Sequence, residues 1–142
     1  MDETREPGIR LASIVIEHLH FDDIRAGDRP PKDHLYMLSI ERRSTEQPNI
    51  GDAVLHFAMK PKDDEASTFQ LTVDVVGRFE ADPSNPNLGL ETFLKVNGPA
   101  LLVPFLREMV ANITFRSRHG VVLLPAINVV ALVQREDGAP KQ

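Results

Sequence analysis

The side chains that come nearest to a reactive constellation are His18 and His20, which alternate on one face of a segment rich in β-branched residues, with Glu17, Asp22 and Asp23 beside them. Two imidazoles at that spacing, joined by His56 from a neighbouring strand, are a start towards a zinc or iron site. A third ligand has no evident place. The chain carries no His-x-x-x-His pair, no strained nucleophile turn, no phosphate-binding loop and no dinucleotide fingerprint. Without cysteine it has neither a disulfide framework nor thiolate chemistry. The plainer expectation is half-exposed strand histidines in a protein that is not an enzyme and holds no cofactor or metal. The alternative of another class is a small metal- or ligand-binding module using His18 and His20, which would be a well-packed monomer indifferent to unfolded chains.

Composition narrows the classes further. A chain of 142 residues, 42% of them hydrophobic, suits one domain over 1–142, with 1–10 and 137–142 as flexible ends. Sixteen basic against twenty-one acidic residues leave a net charge of -5, which speaks against a surface that tracks nucleic-acid phosphates. The opening Met1-Asp2-Glu3-Thr4 is acidic and leads into no apolar stretch, and no run approaches the roughly eighteen apolar residues that span a bilayer. A cytoplasmic protein is expected, neither exported nor inserted in a membrane.

The first half divides into strands. Leu11 to Phe21, Leu35 to Arg43 and Ala53 to Met59 are separated by Asp-, Pro- and Gly-containing breaks at Asp28 to Lys32 and Gln47 to Gly51. A fourth strand is the clearest, with Phe69, Leu71, Val73 and Val75 alternating against Gln70, Thr72 and Asp74. Consecutive strands imply an antiparallel meander. Val76-Gly77 is read as a break in the alternation before Arg78-Phe79-Glu80, as a β-bulge or a close backbone approach would give. Glu17, Asp22, Asp23 and Asp28 suit a solvated rim. A turn over Asp82 to Asn87 then leads to Leu88 to Val96, with room for a short helical turn.

The second half is apolar beyond what one small domain needs. Asn97-Gly98-Pro99 predicts a helix start, with Asn97 as cap and Pro99 at the first helical position. Leu101, Leu102, Phe105, Leu106, Met109, Val110 and Ile113 then form one wide apolar stripe, interrupted by a bend at Pro104. Arg116 to Gly120 ends it. Val121 to Ile127 is continuously apolar yet contains Pro125, so it is not helical and must be covered or bind something. Asn128 predicts the cap of a last helix over Val129 to Arg135. Strands followed by helices give an α+β class, with the helices on one face of the sheet.

Three segments together resemble the SecB family of export chaperones: Leu101-Leu102-Val103-Pro104-Phe105-Leu106-Arg107-Glu108, Leu123-Leu124-Pro125-Ala126-Ile127-Asn128, and Gly77-x-Phe79 after an alternating strand. They stand in the family's order and approximate spacing. The resemblance implies a SecB-like homotetramer, a dimer of dimers, with Leu102, Phe105, Leu106 and Met109 at the contact between subunits. It also implies an ATP-independent holdase that keeps unfolded or precursor polypeptides in apolar grooves. The implied groove residues are Leu90, Phe93 and Leu94 of the crossover, Val122 and Leu124 of the loop, and Ile127, Val130 and Val133 of the last helix. In the family, the translocase motor SecA docks on an acidic patch of the outer sheet. Here the matching stretches are Asp23-Ile24-Arg25-Ala26-Gly27 and Gln70-Leu71-Thr72, so only Asp23 remains, and the tail 135–142 is short and mixed in charge. These departures suit a SecB-like chaperone dedicated to a non-export client such as an antitoxin.

Overall fold

Strict alternation over Thr68–Ala81 puts Phe69, Leu71, Val73, Val75, Gly77, Phe79 and Ala81 on one face of a strand, and these residues are all buried. In the computed structural model this strand, β4, pairs on both sides. The structure describes residues 8–24, 34–62, 68–84 and 89–138, with side chains up to 133. The expected flexible ends fall largely outside these residues, as do the break at 28–32 and part of the turn 82–87. The other strands are β1 (Ile9–Ile24), β2 (His34–Ser44) and β3 (Ile50–Pro61), followed by α1 (Leu90–Lys95), α2 (Asn97–Phe115) and α3 (Val129–Gly138). No helix among the described residues is long and apolar enough to cross a membrane.

The α+β class and the order of elements are as expected, but the meander covers only β2, β3 and β4. The sheet is ordered β1-β4-β3-β2, so β1 lies against β4 and not beside β2. A hairpin joins its strands through about two to five residues. The link from Ile24 to His34 is longer, so nothing local makes β1 and β2 neighbours.

The phase of β4 does not slip at Gly77. Its pairing with β3 runs without interruption from Met59↔Leu71 to Ile50↔Glu80, and the irregularities fall instead in β1, between Leu11 and Ser13 and between Ile16 and His18. Gly77 marks the close approach. A Cβ there would stand 2.6 Å from Leu102 Cδ2, so α2 rests on the strand at the one inner-face position without a side chain. Leu102, Leu106 and Val110, all 0% exposed, fill the core over Leu55, Leu71, Val73 and Val75. The start of α2 also differs from expectation: Asn97 lies inside the helix and Val96 is the N-cap, without a side-chain capping bond. The reason is α1, which ends at Lys95 and leaves Val96 alone as the joint. The helix continues through Pro104, which cannot donate to the carbonyl one turn earlier.

Gly77 and Leu102 should behave as one unit. Gly77→Ala should cost about 1–3 kcal/mol by overpacking, and Leu102→Ala about 2–5 kcal/mol by leaving a cavity. In urea unfolding, the double variant should lose clearly less than the sum of the two. Strict additivity would separate the residues.

Candidate functional site

The inner face of β2 and β3 is only partly roofed by helix. The segment 121–128 and the start of α3 stand over Tyr36, Leu38 and Phe57, leaving an open groove of about 680 Å³ lined also by Met37, Leu124, Pro125, Ile127, Asn128, Ala131 and Leu132. Tyr36 and Phe57 bring their rings to 6.4 Å. Leu124 comes from the apolar run, and Asn128 caps α3 as predicted, accepting the Ala131 N–H at 3.0 Å. Apart from the Tyr36 hydroxyl and the Asn128 amide, the lining side chains are apolar. Such a site has no nucleophile, acid–base pair or phosphate cradle, and it can hold apolar side chains and little else. Of the lining residues, Tyr36 and Met37 are each about half exposed.

Of the residues expected in a groove, Leu124 and Ile127 line this one. Val122 is half-buried, Val130 is exposed and Val133 is buried. The crossover residues lie elsewhere: Leu94 sits beneath Gly51, where a Cβ would meet its Cδ1 at 2.6 Å, with Leu90 Cδ2 at 3.6 Å. Phe93 packs edge-on against Phe79 at 5.3 Å. Because Gly51 pairs with Ser44 and Met59 with Tyr36, the crossover and the groove stand at opposite ends of the β2–β3 face. The half-buried Ile40 lies between them. Tyr36, Met37, Leu38 and Phe57 were not foreseen. Their signal was the unbroken run Leu35-Tyr36-Met37-Leu38, which makes both faces of a strand apolar.

The residues expected at a subunit contact divide. Leu102 and Leu106 belong wholly to the subunit's own core, whereas Phe105 is 42% exposed and Met109 half-buried. Leu101 joins them on the outward side of α2 at 49% exposure.

The outer face of the sheet is ionic. Arg43 on β2 reaches across to Glu17 on β1 at 2.7 and 3.0 Å and also binds Glu41. His56 donates from Nε2 to Glu41 at 2.9 Å and from Nδ1 to Asp74 at 2.8 Å. With a carboxylate at each ring nitrogen, the arrangement fits an imidazolium. Burial opposes that charge, but Glu41 and Asp74 outweigh it and raise the His56 pKa. Arg43, and after it His56, holds the Glu41 carboxyl below its usual range. His18 meets Thr72 Oγ1 at 3.2 Å, and among the described residues no three His, Asp, Glu or Cys side chains gather to hold a metal. Among the described residues, His18 and His20 are joined by no third ligand.

Asp23 lies at the end of β1, where His119 Nε2 donates to Oδ1 at 2.6 Å and Arg118 binds Oδ2. Those two partners, His119 first, depress its carboxyl pKa. Its charge is already matched within the chain.

Comparison with known proteins agrees with this arrangement. Residues 3–139 match the family described as preprotein translocase subunit SecB. The chain is 27% identical to the protein-export protein SecB of Roseobacter denitrificans, covering 94% of this chain and 84% of that one. It is 28% identical to the protein of the same name from Ruegeria pomeroyi, over 90% and 81%. In fold it is similar to the SecB-like chaperone of Mycobacterium tuberculosis in complex with a ChAD peptide from the HigA1 antitoxin, with a TM-score of 0.68, 12% identity, and 84% of this chain and 87% of that one covered.

The two carboxylates around His56 set a pH dependence of stability. His56, raised above its ordinary 6.5, contributes fully below that pH and loses the contribution as pH climbs through its raised value. Glu41, lowered from its ordinary 4.5, contributes above that pH and loses it as pH falls through its lowered value. The bridge is therefore strongest between about 4.5 and 6.5. In thermal melts, His56→Gln should be less stable than the parent within that window, and the two curves should converge above it. A constant offset at every pH would remove charge from the explanation.

Proposed function

Because the chain belongs to the SecB family, we propose that it is an ATP-independent holdase, a non-enzymatic chaperone that takes unfolded segments of client proteins into the groove beside β2. The observation that carries this reading is the groove itself: apolar, open, and without a reactive set. From Gly51 to Met59 the β2–β3 face extends about 26 Å at roughly 3.3 Å per residue. An extended client segment of about eight residues, laid from Leu90 and Leu94 past Ile40 to Ile127 and Leu132, matches that length. Burying alternate apolar side chains there yields about 25 cal/mol per Å². Such binding needs no fixed sequence and keeps a client competent for translocation or folding.

The same reading includes a homotetramer, a dimer of dimers, in the cytoplasm. Exposed Leu101 and Phe105 and half-buried Met109 on α2 supply a suitable surface. A dedicated client such as an antitoxin is the second reading, favoured over delivery to SecA by two observations. Asp23, the only family docking residue retained, is engaged with Arg118 and His119, and the similar mycobacterial chaperone holds an antitoxin peptide.

Light-scattering chromatography with a reduced, permanently unfolded protein tests the proposal. A tetramer that retains the client without ATP, and still does so in high salt, is expected; a monomer that ignores it, or a strict need for ATP, refutes the reading. Ile127→Asp should abolish most retention at unchanged mass, because it puts an unpaired charge into the apolar site. Phe105→Asp should instead reduce the mass of the assembly while the subunit stays folded, and an undiminished mass would count against the α2 contact.

A further inference from the structure

We infer that Arg107 and Thr114, neither of which lines the groove, set its affinity by holding the segment 121–128 in place, an inference that rests on the client-binding reading above. The segment forms one wall of the groove through Leu124, Pro125 and Ile127, yet it belongs to no helix or strand. Among the described residues, the backbone–backbone bonds outside regular elements touch it only at its end, where the Asn128 carbonyl accepts from Leu132. At the same end the Asn128 side chain accepts the Ala131 N–H, and the remaining polar anchors among the described residues come from two side chains of α2. Thr114 is 0% exposed. Its hydroxyl donates to the Val110 carbonyl at 2.7 Å and accepts the Val122 N–H at 2.8 Å, so one oxygen joins the helix to the start of the wall. Arg107, two turns earlier on α2, donates from Nε to the Leu124 carbonyl at 3.1 Å.

Leu124 makes this geometry consequential. Its side chain is 3% exposed and faces the groove, while the residue also borders a smaller crevice formed with Pro104, Arg107, Glu108, Ala111 and Leu123. Arg107 therefore grips the wall from behind. A client on the β2 side touches Leu124 and Ile127 without touching either anchor. Releasing an anchor lets an unstructured, apolar segment wander, and binding must then order it again before contact is complete. Arg107 and Thr114 are positioning residues for the groove.

Amide exchange over 121–128, measured alongside affinity for reduced, carboxymethylated α-lactalbumin, tests the inference. The variants are Thr114→Val, which keeps the shape and removes the hydroxyl, Thr114→Ser, which keeps the hydroxyl, and Arg107→Met, which keeps the stem and removes the donor. Arg107 is exposed, so R107M retains the fold even where T114V lowers stability. T114V and R107M should both exchange faster over the segment and bind the probe about three- to tenfold more weakly, at unchanged assembly mass. T114S should match the parent. Faster exchange with unchanged affinity would overturn the inference, as would weaker binding with unchanged exchange, which would mean direct contact with the client. A parent protein that does not bind the probe would instead refute the holdase reading, and its exchange pattern would still show whether the two anchors hold the segment.

Discussion

The seat of Leu102 on Gly77 is the contact on which the other arrangements depend. A long helix can lie close to a sheet only where the strand beneath it yields space, and β4 yields it at a single residue. That contact fixes the height of α2 over the sheet, and the helix then carries Thr114 and Arg107 to the places where they meet Val122 and Leu124. The groove wall is thus referred back, through one helix, to a missing side chain in the middle of a strand. A family match at Gly77-x-Phe79 acquires a physical reason in this way: the glycine admits Leu102, and Phe79 two residues on packs against Phe93 of the crossover.

The two faces of the sheet do different work. Inside, apolar side chains form first a core and then, where helix cover ends, an open groove. Outside, carboxylates are matched across neighbouring strands by His56, Arg78 and Arg10, and across the whole sheet by Arg43. These carboxylates already have partners within the chain, and Asp23 follows the same pattern at the sheet's end. Exposed ion pairs of this kind add little stability individually. Their effect here is on what the outer face can recognise.

Much of the fold was legible where one local signal sufficed. Asn128 capped its helix, α2 followed its apolar period through Pro104, and the alternation of β4 placed its inner face. What could not be read depended on partners distant in sequence. The neighbour of β1 is chosen by the open edge of β4, which no turn residue encodes. The apparent slip at Val76-Gly77 came from counting Val76 as inner; it is an outer-face residue, buried on the ionic side of the sheet. The stripe on α2 did not say which of its residues meet the subunit's own sheet, so Leu102 and Leu106 could not be told from Phe105. The groove was half legible: Leu124 and Ile127 stood in a run too apolar for a loop, but its floor came from β2, whose double apolar character passed for an ordinary strand.

The ion pair from Arg43 to Glu17 spans from the last strand of the sheet to the first, crossing the outer side of both strands between them. Mechanically it is a tie between the two edges of the sheet, made on the side away from the groove, so it leaves the inner face clear for an occupant. The floor of the groove is paired strand, and differences in shape among occupants must be absorbed by the part without strand or helix pairing, namely the wall at 121–128. Selectivity in such a receptor is governed by how far one wall can give.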